Sequence, residues 1–152
     1  GDILGFHDFF DVIHPLWLPN YPRETFYTNI DSINIKMMRT KHIPDSSWDW
    51  QSSFWSCGLI IDDRIMFTSD TRYDPKLILS FDEMFDLEAI FHDCQFFTGG
   101  VHASLEELKQ LPPDVKRKMY LTHYGDNWED FNDKVEEYGF AGLAQQHVHY
   151  LF

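Results

Sequence analysis

The chain has 152 residues, 43% of them hydrophobic, which is enough for one domain with a core of its own. Twelve basic residues stand against 25 acidic ones, a formal net charge of −13, and that excess repels phosphate backbones and excludes broad nucleic-acid binding through counterion release. No run of about 18 apolar residues is present, so no membrane-spanning helix and no membrane partner are expected.

A small phosphorylated substrate stays compatible with this charge, because a bound cation reverses the local sign. Cys57 and Cys94 lie far apart with no CxxC, so a sulfur-ligated zinc site is not expected. A reduced pair in a cytoplasmic protein is the default reading, with a disulfide left open. The chain begins with Gly1 rather than Met, and a preceding segment is expected.

Phe6, Phe9, Phe10 and Ile13 fall at helical spacing, and Pro15 and Pro19 would end that helix. His7 and His14 share its spacing and read as partly buried surface histidines. Thr25 to His42 reads as extended, broken at Asp31-Ser32, with Ile33, Ile35 and Met37 alternating with polar residues. The polar loop Asp45 to Ser53 carries Trp48 and Trp50, which either cover the edge of the core or stack against a substrate. Phe54 to Ile61 and Arg64 to Thr68 are apolar runs separated by Asp62-Asp63, a hairpin signal. Pro75 to Phe85 reads as a helix and Leu87 to Phe91 as a buried strand.

Ser104-Leu105-Glu106-Glu107 reads as a capping box that starts a helix to Leu111, ended by Pro112-Pro113. A short strand over Lys118 to Thr122 ends at His123, and Asn127 is placed to cap a helix from Trp128 to Tyr138, with Gly139 beyond its end. His147 to Phe152 reads as a terminal strand. The order implies an α/β (α+β) chain: a mixed sheet with helices on one face, in a single domain over 1–152.

The chemistry gathers where strands stop. His42, Asp70 and His123 each end a strand, and His92, Asp93 and His102 end a strand or precede a helix. Imidazole and carboxylate suit Zn, Mn or Fe, and a carboxylate such as that of Asp70 can bridge two cations. Asp93 and His92 read as hydrogen-bonding support for ligands rather than as ligands, Asp74 as a turn residue before Pro75, and Tyr124 as either packing or a substrate contact. His147 and His149 read as surface or interface residues.

Four segments in one order carry a resemblance. Ser69-Asp70-Thr71-Arg72 after a hairpin, Leu121-Thr122-His123-Tyr124, the stretch His102-Ala103-Ser104-Leu105-Glu106-Glu107 between them, and His42 ending the strand before the hairpin resemble the metallo-β-lactamase fold, in its ribonuclease Z and phosphodiesterase branch. The resemblance covers roughly 33–152. It implies an αβ/βα sandwich, of which this chain would supply mainly the second half, and two divalent metal ions, zinc foremost with manganese or iron as alternatives. In that pattern Asp70 bridges the ions, His42 completes one site and His123 the other, and His102 acts as proton donor or phosphate contact. Asp70 and His102 would be the catalytic pair, with Trp48, Trp50 and Tyr124 contacting substrate.

The implied activity is hydrolysis of a phosphodiester, such as a cyclic nucleotide, by metal-bound hydroxide. The family's H-x-H-x-D-H motif is absent from these residues, so the ions would be incompletely liganded by this chain alone. A companion N-terminal segment or a homodimer would have to complete the site. The alternative is a non-catalytic or degenerate member, a binding or sensor protein without a complete metal site.

Overall fold

The computed structural model describes residues 25–43, 53–54 and 56–152. Trp48 and Trp50, and the helix expected around Phe6 to Ile13 with His7 and His14, lie outside the described residues. Among the described residues seven strands form one sheet in the order β1 to β7: Phe26–Ile30, Ile33–Arg39, Cys57–Ile61, Ile65–Phe67, Ala89–Asp93, Met119–Thr122 and Gly142–Leu143. The first four pair antiparallel and the last three join in parallel. Four helices accompany them among the described residues: α1 Pro75–Phe85, α2 Leu105–Leu108, α3 Pro113–Lys116 and α4 Asn132–Glu137. This is a mixed α/β architecture. One sheet is what the described residues contain, so the two-sheet sandwich is not established by them.

The two hairpins form where short polar pairs accept unusual backbone angles. At the β3–β4 turn Asp62 and Asp63 both have positive φ, 52° and 58°, and Arg64 N–H closes the turn onto the Ile61 carbonyl at 3.0 Å. That is a type I′ pattern, whose twist matches that of the strands it joins. The Asp62 carboxylate also accepts from Asn34 N–H at 2.8 Å, tying the turn to β2.

Alternation along the strands divides the sheet into two faces. One carries Met38, Ile60, Met66, Ile90, Met119 and Leu121, all fully buried, and packs in a single cluster with Leu77, Ile78 and Phe81 of α1, Leu105 and Leu108 of α2, Val115 of α3 and Val135 of α4. Each such side chain contributes roughly 1.5–3 kcal/mol by leaving water. The helices therefore cover one face, and the other holds Phe91 and Tyr120.

Three local readings are corrected. The helix expected to reach Leu111 ends at Leu108. Beyond it Gln110 and Leu111 N–H bond back three residues to Glu107 and Leu108, because Pro112 offers no N–H to continue the ladder. The helix expected from Trp128 to Tyr138 starts as a 3-10 turn, Trp128–Phe131, before α4, and Asn127 makes no side-chain cap bond. The change of pitch falls at Phe131, whose ring lies flat on Phe96 at 4.3 Å. The terminal strand is absent: pairing ends at Leu143, the chain turns at His147 (φ 63°), and the Tyr150 ring packs against Phe91 and Tyr120. The alternating residues there serve ring packing instead of a ladder. No helix among the described residues is long and apolar enough to cross a membrane.

Candidate functional site

Topology gathers the polar strand ends. β2 and β4 both run antiparallel to β3, and β4, β5 and β6 are mutually parallel, so β2, β4, β5 and β6 all point one way. Their carboxyl ends share an edge, where ligand sites of open sheets form. His42 follows β2, Asp70 follows β4, Asp93 closes β5 and His123 follows β6.

Asp70 is held by its backbone. Its carbonyl accepts from the Thr40 hydroxyl at 3.1 Å and from the Ser56 hydroxyl at 2.8 Å. This leaves the half-exposed carboxylate facing two imidazoles from different strands, with Oδ2 3.9 Å from His42 Nε2 and Oδ1 3.6 Å from His123 Nδ1. Both distances are too long for hydrogen bonds. The His42 Nε2 separation is within about 0.5 Å of the spacing of about 3.4 Å between two donors on one tetrahedral ion. Ser69 and His123 both adopt left-handed backbone, φ 53° and 59°. Such angles are uncommon for residues other than glycine and gather at sites whose geometry is imposed by their surroundings.

Asp93 organises the rest. Its Oδ2 accepts from Thr71 N–H at 2.8 Å and lies 2.6 Å from His102 Nδ1, while Oδ1 lies 3.1 Å from His123 Nδ1. Carboxylate oxygens only accept, so both imidazoles present Nδ1–H to Asp93. His102 arrives from a separate element: Ala103 N–H bonds the Thr71 carbonyl, Gln95 pairs with Ser104, and the capping box at Ser104 then starts α2. The rings of His42 and His102 are 5.3 Å apart and those of His102 and His123 4.6 Å apart. His42 keeps a buried Nδ1 without a hydrogen-bond partner among the described residues.

Donor atoms from Asp70, Asp93, His102 and His123 all lie within 4.8 Å of one another. Carboxylate oxygens and imidazole nitrogens without thiolate form a donor set that fits a divalent ion. The set anticipated from sequence was His42, Asp70 and His123. The structure brings those three together with His102 and adds Asp93 to the cluster; His42 stands at its rim, across from Asp70. Asp93 was expected to support ligands by hydrogen bonding rather than to be one, and it holds His102 and His123 in that way.

Nearby groups stay neutral. Burial lowers the basicity of His92, whose Nδ1 donates to the Asp93 carbonyl at 2.6 Å. Burial, with the Asp93 charge added, pushes the Cys94 thiol up to about 12. Cys57 and Cys94 are both free thiols. Asp74, read as a turn residue, accepts from Leu77 N–H as the N-cap of α1. Beside His102 and His123 opens a cavity of about 450 Å³, walled by Phe96, Phe97, Tyr124 and Asn127. Tyr124 lines it with its hydroxyl committed to the Ala144 carbonyl at 2.6 Å.

The family described as Anti-Pycsar protein Apyc1 matches residues 2–150. Relatives bearing that same description include one from Bacillus phage BSP38, 47% identical over 88 residues, covering 57% of this chain and 33% of the relative. Another, from Paenibacillus harenae, is 35% identical over 128 residues, covering 84% of this chain and 47% of the relative. A third, from Paenibacillus sp. (strain J14), is 30% identical over 120 residues, covering 78% and 45%. The chain thus spans about a third to a half of the length of these relatives.

These matches correct the family drawn from the four motifs. Their description is of an anti-Pycsar protein, not of a metallo-β-lactamase-fold hydrolase of the ribonuclease Z and phosphodiesterase branch. The expected zinc-dependent phosphodiester hydrolase is corrected with it, and the non-catalytic, binding alternative fits the description better.

Proposed function

The chain belongs to the Anti-Pycsar protein Apyc1 family, and from that premise we propose that it acts against Pycsar by binding a small phosphorylated ligand at the Asp70, Asp93, His102 and His123 cluster. A divalent cation mediates the binding. The observation that supports this is the Asp70 carboxylate, whose Oδ2 stands 3.9 Å from His42 Nε2, within reach of one shared ion.

Asp70, His42 through Nε2 and His123 through its other ring nitrogen, Nε2, would hold the cation, and Asp93 would orient His102 and His123 through their Nδ1 atoms. The bound ion would supply the positive charge that an anion needs here. Without it, a phosphate would face two carboxylates in a chain of net charge −13. A cytoplasmic location, where the thiols of Cys57 and Cys94 stay reduced, belongs to the same reading.

Calorimetric titration of the purified chain with Mn²⁺, and then with inorganic phosphate, tests the site. Phosphate should bind only after the cation, EDTA should abolish it, and Asp70→Asn should lose both. In cells carrying Pycsar, expression of the chain should weaken the Pycsar response, and the Asp70→Asn variant should not. Phosphate binding that is indifferent to cation and to Asp70 would sink this reading.

A further inference from the structure

β2 and β4 are not neighbours. β3 lies between them in the sheet, which sets the two strands roughly 9.5 Å apart. His42 and Asp70 follow these strands, yet Nε2 of one and Oδ2 of the other are 3.9 Å apart. The gap closes beyond the start of β3 at Cys57, where stretches 40–42 and 69–72 bond to each other directly.

The Thr40 hydroxyl donates to the Asp70 carbonyl at 3.1 Å, and Arg72 N–H donates to the Lys41 carbonyl at 2.6 Å. Thr71, fully buried, sits between these bonds. Its N–H donates to the Asp93 carboxylate at 2.8 Å, and its carbonyl accepts from Ala103 N–H at 2.9 Å. Its hydroxyl stands 3.1 Å from the Lys41 carbonyl and 3.0 Å from that of Arg72. Lys41 precedes His42, Ala103 follows His102, and Thr71 itself follows Asp70. One residue thus fixes the backbone beside three of the gathered side chains and holds the carboxylate of a fourth.

His42 depends on this most. Asp93 orients His102 and His123 through their Nδ1 atoms, whereas the buried Nδ1 of His42 has no hydrogen-bond partner among the described residues. The direction of the His42 ring is therefore set by its backbone and by packing, including the His102 ring at 5.3 Å.

We propose that Thr71 is a positioning residue whose hydroxyl, through the Lys41 carbonyl, holds His42 opposite Asp70 for a shared cation. The inference rests on the cation-mediated reading above and adds what fixes the His42 side of that site. The Lys41 carbonyl keeps its bond from Arg72 N–H when the hydroxyl is removed, so the removal acts on the placement of His42 more than on folding.

Calorimetry with Mn²⁺ on the full chain gives the first measurement. Thr71→Val and Thr71→Ala should each bind Mn²⁺ about tenfold more weakly, the size of a lost orienting contact behind a metal ligand. Thr71→Ser, which restores the hydroxyl, should bind as the wild type does. Proton NMR of the Co²⁺-loaded chain gives the second, since each imidazole on the ion has its own strongly shifted resonance, assigned with His42→Ala and His123→Ala. Thr71→Val should displace the His42 resonance and leave that of His123 in place, a selectivity that general loosening of the fold does not produce. Unchanged Mn²⁺ affinity in the Val and Ala variants, equal weakening in Thr71→Ser, or equal displacement of both resonances overturns the role of Thr71 while the cation site stands. A wild type that binds neither Mn²⁺ nor Co²⁺ overturns the cation site, and this inference with it.

Discussion

Asp93, 1% exposed at the end of β5, accepts a 2.6 Å hydrogen bond from Nδ1 of His102, nine residues further along the chain. Two elements that do not share a strand pair thereby become one rigid unit. The same carboxylate reaches His123 and Thr71 N–H, so its removal disconnects β4, β5, β6 and the approach to α2 at one point.

Asp93→Asn keeps the shape, removes the charge and leaves one acceptor oxygen for three donors. Loss of charge-assisted buried hydrogen bonds should lower stability by about 1.5–3 kcal/mol in urea unfolding. Affinity for Mn²⁺ should fall on the order of tenfold to a hundredfold, because the imidazoles lose their orientation. An unchanged Mn²⁺ affinity in a folded Asp93→Asn protein would refute the orienting role.

His92 makes stability depend on pH. Its folded-state pKa lies below the ordinary 6.5 through burial, so below pH 6.5 the unfolded chain takes up a proton that the folded chain refuses. Its contribution is full above pH 6.5 and is lost as pH falls towards the lowered folded value, at up to about 1.4 kcal/mol per pH unit. Urea unfolding at pH 7.5 and 5.5 should show a steeper loss for the wild type than for His92→Leu. Equal slopes would show that His92 is not held neutral.

The capping box before α2 is the local feature that sets where the chain turns away from His102. The Ser104 hydroxyl accepts from Glu107 N–H at 3.3 Å, and the Glu107 carboxylate accepts from Ser104 N–H at 2.9 Å. Ser104→Ala should cost about 1 kcal/mol. Glu107→Gln, which keeps an acceptor, should cost less, and chemical denaturation separates the two.

Two methionines of contrasting burial test where the core lies. Met66 in β4 is fully buried and Met84 in α1 is 66% exposed. Met66→Ala should lose about 2–5 kcal/mol by leaving a cavity between sheet and helices. Met84→Ala should stay within about 0.5 kcal/mol of the wild type, as surface substitutions do. Thermal unfolding of both variants reads the difference.

Much of the local structure was legible because it rests on near neighbours. The Asp62-Asp63 hairpin, the helix from Pro75 to Phe85 and the Ser104–Glu107 box follow from turn angles, capping and apolar spacing within a few residues. The strand expected at His147 to Phe152 failed for the converse reason: its alternating residues pack Tyr150 and Phe152 onto Phe91 and Tyr120, and no local pattern distinguishes that from a ladder. The family assignment also exceeded local reading, since short motifs of Asp and His in a common order resembled one family while the longer match lies with another.

The sequence by itself determined that polar residues terminate apolar strands at His42, Asp70, Asp93 and His123, because a buried strand must hand over to hydrogen-bonding groups when it leaves the core. Only the tertiary structure decided that these ends meet. Four strands had to run in one direction through a mixed sheet. Residues 30 apart in the chain, Asp93 and His123, had to come within 3.1 Å. Pairing and direction in a sheet are set by packing across its whole width, and that information belongs to no single segment.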